Sequence, residues 1–275
     1  MSDQDVALLG RSLSLGYGGT TICSGLDLRI AKGDFAIIIG PNGCGKSTLL
    51  KALGRVLKPK AGEVLLSGQN IHQLPTQAVA KQLGILSQHP EAPPGMTVLE
   101  LLAQGRYPQR SLFAGWTRAD QAALDDALLA TGITDLGNRP LAELSGGQRQ
   151  RAWLAMVLAQ QTEIILLDEP TTYLDVHHQF EILELLAKLN RDSGTTIVAV
   201  MHDLHQAMVF ARSLIVMQHG RIVAQGAPDE VIGPEILFDV FGIDGEMLHH
   251  VDGSIRGFVP LRPARLPETA NGDAN

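Results

Sequence analysis

The sequence predicts an α/β fold: a mostly parallel core sheet, an antiparallel β patch near the start of the chain and an inserted α-helical subdomain. Three observations carry this. Phe35 to Ile39 and Ile164 to Leu167 are unbroken apolar runs, and Thr195 to Val200 (TTIVAV) is one after its two threonines, as expected of parallel strands buried on both faces. Leu26 to Ile30 alternates apolar and polar residues, and Gly62 to Ile71 (GEVLLSGQNI) has a strand pattern with a glycine turn, which fits half-buried antiparallel pairing. The stretch from Pro90 to Gln161 holds almost only helical patterns, with strand and helix alternation on both sides of it.

The elements follow in order. The three apolar runs are expected to be central strands. Helical periodicity marks Lys46 to Leu57, Val98 to Gly105, Arg118 to Thr131, Gly147 to Gln160 and His177 to Asp192, where Phe180, Leu183, Leu186, Ala187 and Asn190 set the spacing. Residues 5–242 therefore read as one domain, with the helical insertion at about 90–161. A C-terminal extension covers 243–275, and its Pro-, Ala- and Asn-rich end predicts disorder from about Arg262.

Composition narrows the function. Of 275 residues, 45% are apolar, enough for a substantial core. No run approaches the roughly 18 apolar residues of a membrane-spanning helix. MSDQDVALLG carries two acids and no early Lys or Arg, unlike a secretory signal, so the expected location is cytoplasmic. Cys23 and Cys44 are too few for a disulfide framework. A net charge of −7 makes nucleic acid an unexpected partner.

Chemistry concentrates first in Gly40-Pro41-Asn42-Gly43-Cys44-Gly45-Lys46-Ser47-Thr48, between a buried strand and a helix. This is the context in which G-x-x-x-x-G-K-[ST] cradles phosphates. The glycines let backbone N–H groups turn inward, the helix N-terminus adds partial positive charge, and Lys46 reaches the β and γ phosphates. The Ser47 hydroxyl suits Mg²⁺, which prefers oxygen ligands. Asp168 and Glu169 end the second apolar run: Asp168 is the expected Mg²⁺ carboxylate and Glu169 the expected base for an attacking water.

Leu144-Ser145-Gly146-Gly147-Gln148 lies upstream of Asp168 and opens a helix. LSGGQ, with GPNGCGKST before it and LLDEP after it, resembles the nucleotide-binding subunit of ABC transporters from about Leu13 to Gly242. The resemblance implies an ABC-type P-loop NTPase fold, ATP and Mg²⁺ as ligands, and ATPase activity. It also implies that Ser145, Gly146, Gly147 and Gln148 act in trans on ATP held by a second copy, so the expected assembly is a homodimer. Tyr17 then corresponds to an aromatic that stacks on adenine. Gln88 corresponds to a glutamine reaching Mg²⁺ and the water, Asp175 to a loop crossing the dimer interface, and His202 to a switch histidine at the γ phosphate.

Finer features, GRYP at Gly105 to Pro108 and TTYLDVHHQ at Thr171 to Gln179, resemble ATPases of ferric siderophore importers. The ATPases of haem, cobalamin and molybdate importers remain open alternatives, as does, further off, a soluble ABC-type ATPase without a transporter. An importer implies two transmembrane permease subunits, an extracytoplasmic substrate-binding protein reached indirectly, and a peripheral place on the inner face of the membrane. The pairs His177-His178 and His249-His250 are expected to diverge as neighbours do, giving no ready chelate. Cys44 is expected to pack or face solvent, with its modification blocking ATP binding.

Overall fold

The computed structural model describes residues 5–110, 115–172, 174–251 and 255–263. The chain begins with the hairpin β1 (Val6–Tyr17) and β2 (Thr20–Ala31), continues through β3 (Phe35–Ile39) into α1 (Lys46–Leu53), and returns as β4 (Ala61–Leu66) and β5 (Gln69–Asn70). Next come α2 (Thr76–Gln82) and β6 (Leu83–Leu86), then the helices α3 (Val98–Gly105), α4 (Arg118–Thr131) and α5 (Gly146–Ala159). β7 (Ile164–Asp168), α6 (Val176–Ser193), β8 (Thr196–Val200) and α7 (Leu204–Phe210) complete the alternating part. The chain ends with β9 (Ser213–Gln218), β10 (Arg221–Gly226), α8 (Pro228–Val231), α9 (Pro234–Asp239), β11 (Ile243–His249) and β12 (Ile255–Pro263).

The main sheet has the order β10-β9-β3-β8-β7-β6, parallel except at the β9–β10 pair. The three strands read from apolar runs are adjacent inside it. Their side chains alternate between two cores: Phe35, Ile37, Ile165, Leu167, Ile197 and Ala199 face the helical core, while Ala36, Ile38, Ile164, Leu166, Val198 and Val200 face the other. Both faces are covered, which is why these runs lack polar alternation. The second core lies under a β2-β1-β4-β5 antiparallel sheet and α1. In β2 the burial of Leu26, Leu28 and Ile30 alternates with more exposed residues, as the sequence pattern requires.

The helices α3, α4 and α5 pack on one another and add Val98, Leu102, Leu124, Leu128, Trp153 and Leu154 to the helical core. A buried ion pair fixes them: Arg106 Nε donates to Asp120 Oδ1 at 3.0 Å, and Arg106 Nη1 donates to the Ala159 carbonyl at 2.8 Å. Among the described residues no helix is long and apolar enough to cross a membrane.

Two expectations change. α1 stops at Leu53 rather than Leu57, because Gly54 follows and Arg55 takes a left-handed φ of 62°, which an α-helix cannot continue. Disorder from about Arg262 is corrected at its start: β12 runs to Pro263, and Arg262 Nε donates to Asp244 Oδ2 at 2.7 Å across the hairpin. The apolar residues that dock this hairpin, Met247 and Phe258, are too few to give a period in sequence. Residues 264–275 lie outside the described residues.

Candidate active site

The cradle, Asp168, Glu169 and His202 gather at the carboxyl ends of β3, β7 and β8, where open α/β sheets bind ligands. After β3 the chain turns through Gly40 at φ 149°, and a Cβ there would lie 2.1 Å from the Met217 carbonyl oxygen. Gly45 caps α1 at φ 107°, and a Cβ there would meet Cys23 Sγ at 2.4 Å. Glycine is therefore required at both positions for the loop to wrap. No side chain caps the N-terminus of α1, so its first N–H groups stay available to an anion.

Lys46 is buried, and its Nζ donates to the carbonyls of Gly40 at 2.7 Å and Pro41 at 3.0 Å. A buried ammonium held by neutral carbonyls is matched by an anionic ligand. Ser47 Oγ donates to Asp168 Oδ1 at 2.9 Å, joining α1 to the end of β7. Burial pushes the Asp168 carboxyl above its ordinary range, opposed by the Ser47 hydrogen bond and reinforced by the Glu169 charge. A buried carboxylate beside a hydroxyl is a hard oxygen donor pair, and this set fits Mg²⁺.

Glu169 has a left-handed φ of 55°, a strained conformation for a non-glycine residue. Its Oε1 lies 2.5 Å from His202 Nε2, and its Oε2 accepts from Thr172 Oγ1 at 3.1 Å. Burial alone would raise its carboxyl. The hydrogen bond and charge of His202, then Thr172 and a lesser contribution from Gln88, outweigh burial and hold it below the ordinary range. Glu169 is thus ionised at neutral pH, able to accept a proton from water.

The remaining candidates are placed as follows. Tyr17 ends β1 and is about half exposed. Pro41, Asn42 and Gly43 form the accessible tip of the loop, and Thr48 is buried in α1. Cys44 packs inward rather than facing solvent, and burial raises its thiol; the neighbouring Cys23 is pushed to about 11 by burial and by Cys44. Ser145 caps α5 in a reciprocal box, Ser145 Oγ accepting from Gln148 N at 3.2 Å and Gln148 Oε1 accepting from Ser145 N at 3.1 Å. Ser145 and Gly146 are exposed, and Gly147 and Gln148 partly so. Among the described residues no hydrogen bond or ion pair joins them to the cradle of the same chain. Asp175 caps α6, accepting from His178 N at 3.0 Å.

Some neighbours were not read from sequence. Thr172, Gln179 and Gln206 line the cavity around Glu169 and His202, although Thr172 and Gln179 lie inside the quoted TTYLDVHHQ run. The expected divergence of His177 and His178 is corrected: both lean on Glu181, His177 Nε2 at 3.6 Å and His178 Nδ1 at 2.8 Å, because Glu181 lies one helical turn on from both. The Arg151 guanidinium contacts Glu181 and lies 3.0 Å from His178 Nδ1, so a cation already sits at that cluster.

A glycine cradle with a buried lysine, a hydroxyl–carboxylate pair and a glutamate held by histidine suit nucleotide phosphates on a P-loop fold. The ABC transporter family profile matches residues 23–172. The chain is 47% identical over 271 residues to the ferric enterobactin transport ATP-binding protein of Escherichia coli (strain K12), covering 98% of this chain and all of that one. It is 51% identical over 238 residues to a siderophore transport system ATP-binding protein of Bacillus subtilis (strain 168), covering 86% of each chain. Its fold superposes with a TM-score of 0.72, at 27% identity, on a dimeric post-hydrolysis ATP-binding cassette bound to ADP and Pi, covering 80% of this chain and 98% of that one. The protein belongs to the ABC transporter family and is an ABC-type ATPase.

Proposed function

We propose that this chain is the ATP-hydrolysing subunit of an importer, coupling ATP binding and hydrolysis to uptake of a ferric siderophore-type chelate. The observation that carries the hydrolytic part is the Glu169–His202 contact of 2.5 Å beside the Ser47–Asp168 pair at 2.9 Å. The cargo class is supported by 47% identity along nearly the whole chain to a ferric enterobactin transport subunit.

In this reading the backbone of Gly40 to Gly45 and the N-terminus of α1 bind the phosphates, and Lys46 leaves its two carbonyls to pair with them. Tyr17 stacks on the base. Ser47, Asp168 and Gln88 would hold Mg²⁺, which would supply positive charge to offset that of the phosphates. Glu169 orients the attacking water and takes its proton; His202 contacts the γ phosphate and keeps the Glu169 carboxylate aimed. Ser145 to Gln148 of a second copy close each site, with Asp175 at the crossing, so the working unit is a homodimer. The pair works on two transmembrane permease subunits at the inner face of the membrane, fed by an extracytoplasmic binding protein, with no role for nucleic acid.

Glu169→Gln tests the chemistry. The variant is expected to bind MgATP, dimerise and lose turnover by about 10²–10⁴-fold; wild-type turnover would remove Glu169 from the role of base. Co-purification of the tagged chain from solubilised native membranes tests the transport role. A multi-helix permease is expected, and recovery of soluble assembly factors without one would overturn that role.

A further inference from the structure

We propose that Gln206 and Gln179 are positioning residues for hydrolysis, a two-amide strut that ties the His202 segment to the carbonyls of Thr171 and Leu174 and so holds His202 against Glu169. The inference rests on the catalytic reading of Glu169 and His202 given above.

Gln206 lies in the first turn of α7, four residues beyond His202, and is only 3% exposed. Its backbone N–H donates to Asp203 Oδ1 at 2.8 Å, which fixes that turn directly after the histidine. Its side-chain Nε2 donates to Gln179 Oε1 at 2.6 Å. Gln179 Nε2 in turn donates to the Leu174 carbonyl at 3.0 Å and the Thr171 carbonyl at 3.4 Å. Carbonyls only accept, so Gln179 must present its nitrogen to them and its oxygen to Gln206. The direction of both amides is therefore forced.

The contacts close into a ring. Thr172 Oγ1 donates to Glu169 Oε2 at 3.1 Å, and Glu169 Oε1 meets His202 Nε2 at 2.5 Å. The ring surrounds a cavity of about 120 Å³ lined by Glu169, Thr172, Gln179, Met201, His202 and Gln206. Gln206 Oε1 is buried with no protein partner, an arrangement that is destabilising if left unmet. A polar pocket of this size admits water to that oxygen. Stability alone does not require the pair, because Phe180 and Phe210 already pack α6 against α7 edge to face at 5.7 Å. What the amides add is a fixed distance between the His202 turn and the segment that holds Thr172 on Glu169.

The test uses Gln206→Met, Gln179→Met and the double variant in the full chain, with Glu169→Gln in parallel. Each single variant is expected to lower kcat about tenfold or more, as small misplacements of reacting groups do, with KM for MgATP within about twofold. The double variant is expected to match the worse single one, because residues of one unit are not additive. Wild-type kcat in either single variant, multiplicative losses in the double, or a raised KM with kcat kept would each overturn the strut. Gln179 is partly exposed, so its variant decides the matter if the Gln206 variant does not fold. If Glu169→Gln is silent while Gln206→Met is normal, this inference alone fails; if Glu169→Gln turns over normally, the catalytic reading fails and the strut with it.

Discussion

Replacing His202 by alanine puts the most weight on the site geometry. The Nε2 to Oε1 distance of 2.5 Å and a Glu169 side chain only 10% exposed make this a charge-assisted bond that water replaces poorly. Such bonds contribute about 1.5–3 kcal/mol. At 1.36 kcal/mol per tenfold in rate, the loss in kcat is about 10- to 150-fold, with the Glu169 carboxylate shielded from water and the His202 side chain 44% exposed to it. The pH profile supplies a second sign. Burial raises the Glu169 carboxyl, and His202 is the larger of the influences that hold it below the ordinary range. A depressed carboxyl contributes stability above its unfolded value and loses it as pH falls through the folded value, so the wild-type pair persists down to acid pH. Without His202 the two largest lowering influences are lost, the carboxyl rises, and the acid limb of kcat moves to higher pH. The assay is steady-state ATPase at saturating MgATP from about pH 5 to 9. A variant with kcat within about twofold of wild type and an unmoved acid limb would refute the argument.

The site and core geometry sets three further outcomes. Gly40→Ala places a Cβ 2.1 Å from the Met217 carbonyl at φ 149°; local strain of about 1–3 kcal/mol should weaken MgATP binding by about tenfold or more in calorimetry, and an unchanged Kd would count against the cradle. Arg106→Met removes the charge partner of buried Asp120, whose other oxygen still accepts from Thr117, so urea unfolding should show a loss of about 1–3 kcal/mol, partly restored by adding Asp120→Asn; a loss under about 0.5 kcal/mol would refute the buried pair. Native protein at neutral pH should alkylate at Cys23 and Cys44 far more slowly than unfolded protein, because both thiols are buried and raised, Cys23 to about 11. Equal rates would refute their packing.

Sequence carried the parts of the fold whose physics is local. The runs Phe35–Ile39 and Thr196–Val200 were legible because both faces of those strands are buried, and α3 and α4 because apolar residues recur at helical spacing along the faces they bury, Val98, Leu101 and Leu102 in one and Leu124, Ala127 and Leu128 in the other. β6 was missed: with four residues, LGIL, it carries no period. The edge strand β10 was also missed: its burial alternates, but apolar Val223 stands at an exposed position and hides the alternation in sequence. In the site, the cradle was legible because its glycines and lysine are adjacent in sequence. The Gln179–Gln206 pair was not, because a contact between residues 27 apart leaves no mark on either neighbourhood. The cluster of His177, His178 and Glu181 was missed for another reason: neighbouring Cα–Cβ bonds diverge, but long side chains on one helical turn converge on a third residue.

The convergence of three distant segments follows from register. Ile38 pairs with Val200 across β3 and β8, and Asp168 pairs with Val200 across β8 and β7. These three residues therefore stand in one row across the sheet, and in a parallel sheet the chain leaves all three strands on the same side. The cradle begins two residues after Ile38, Glu169 one after Asp168, and His202 two after Val200. The Met201 N–H donates to the Ile38 carbonyl at 3.1 Å and the Glu169 N–H to the Val200 carbonyl at 3.2 Å, carrying the ladder into the loops themselves. A slip of one residue in β8 would move His202 by about 3.3 Å, more than the 2.5 Å that separates it from Glu169. The same slip would exchange the side chains of β8 between the two cores. Register of the site and burial of the core are thus fixed by the same residues, so a substitution that disturbs packing in Thr196–Val200 should lower kcat before it unfolds the chain.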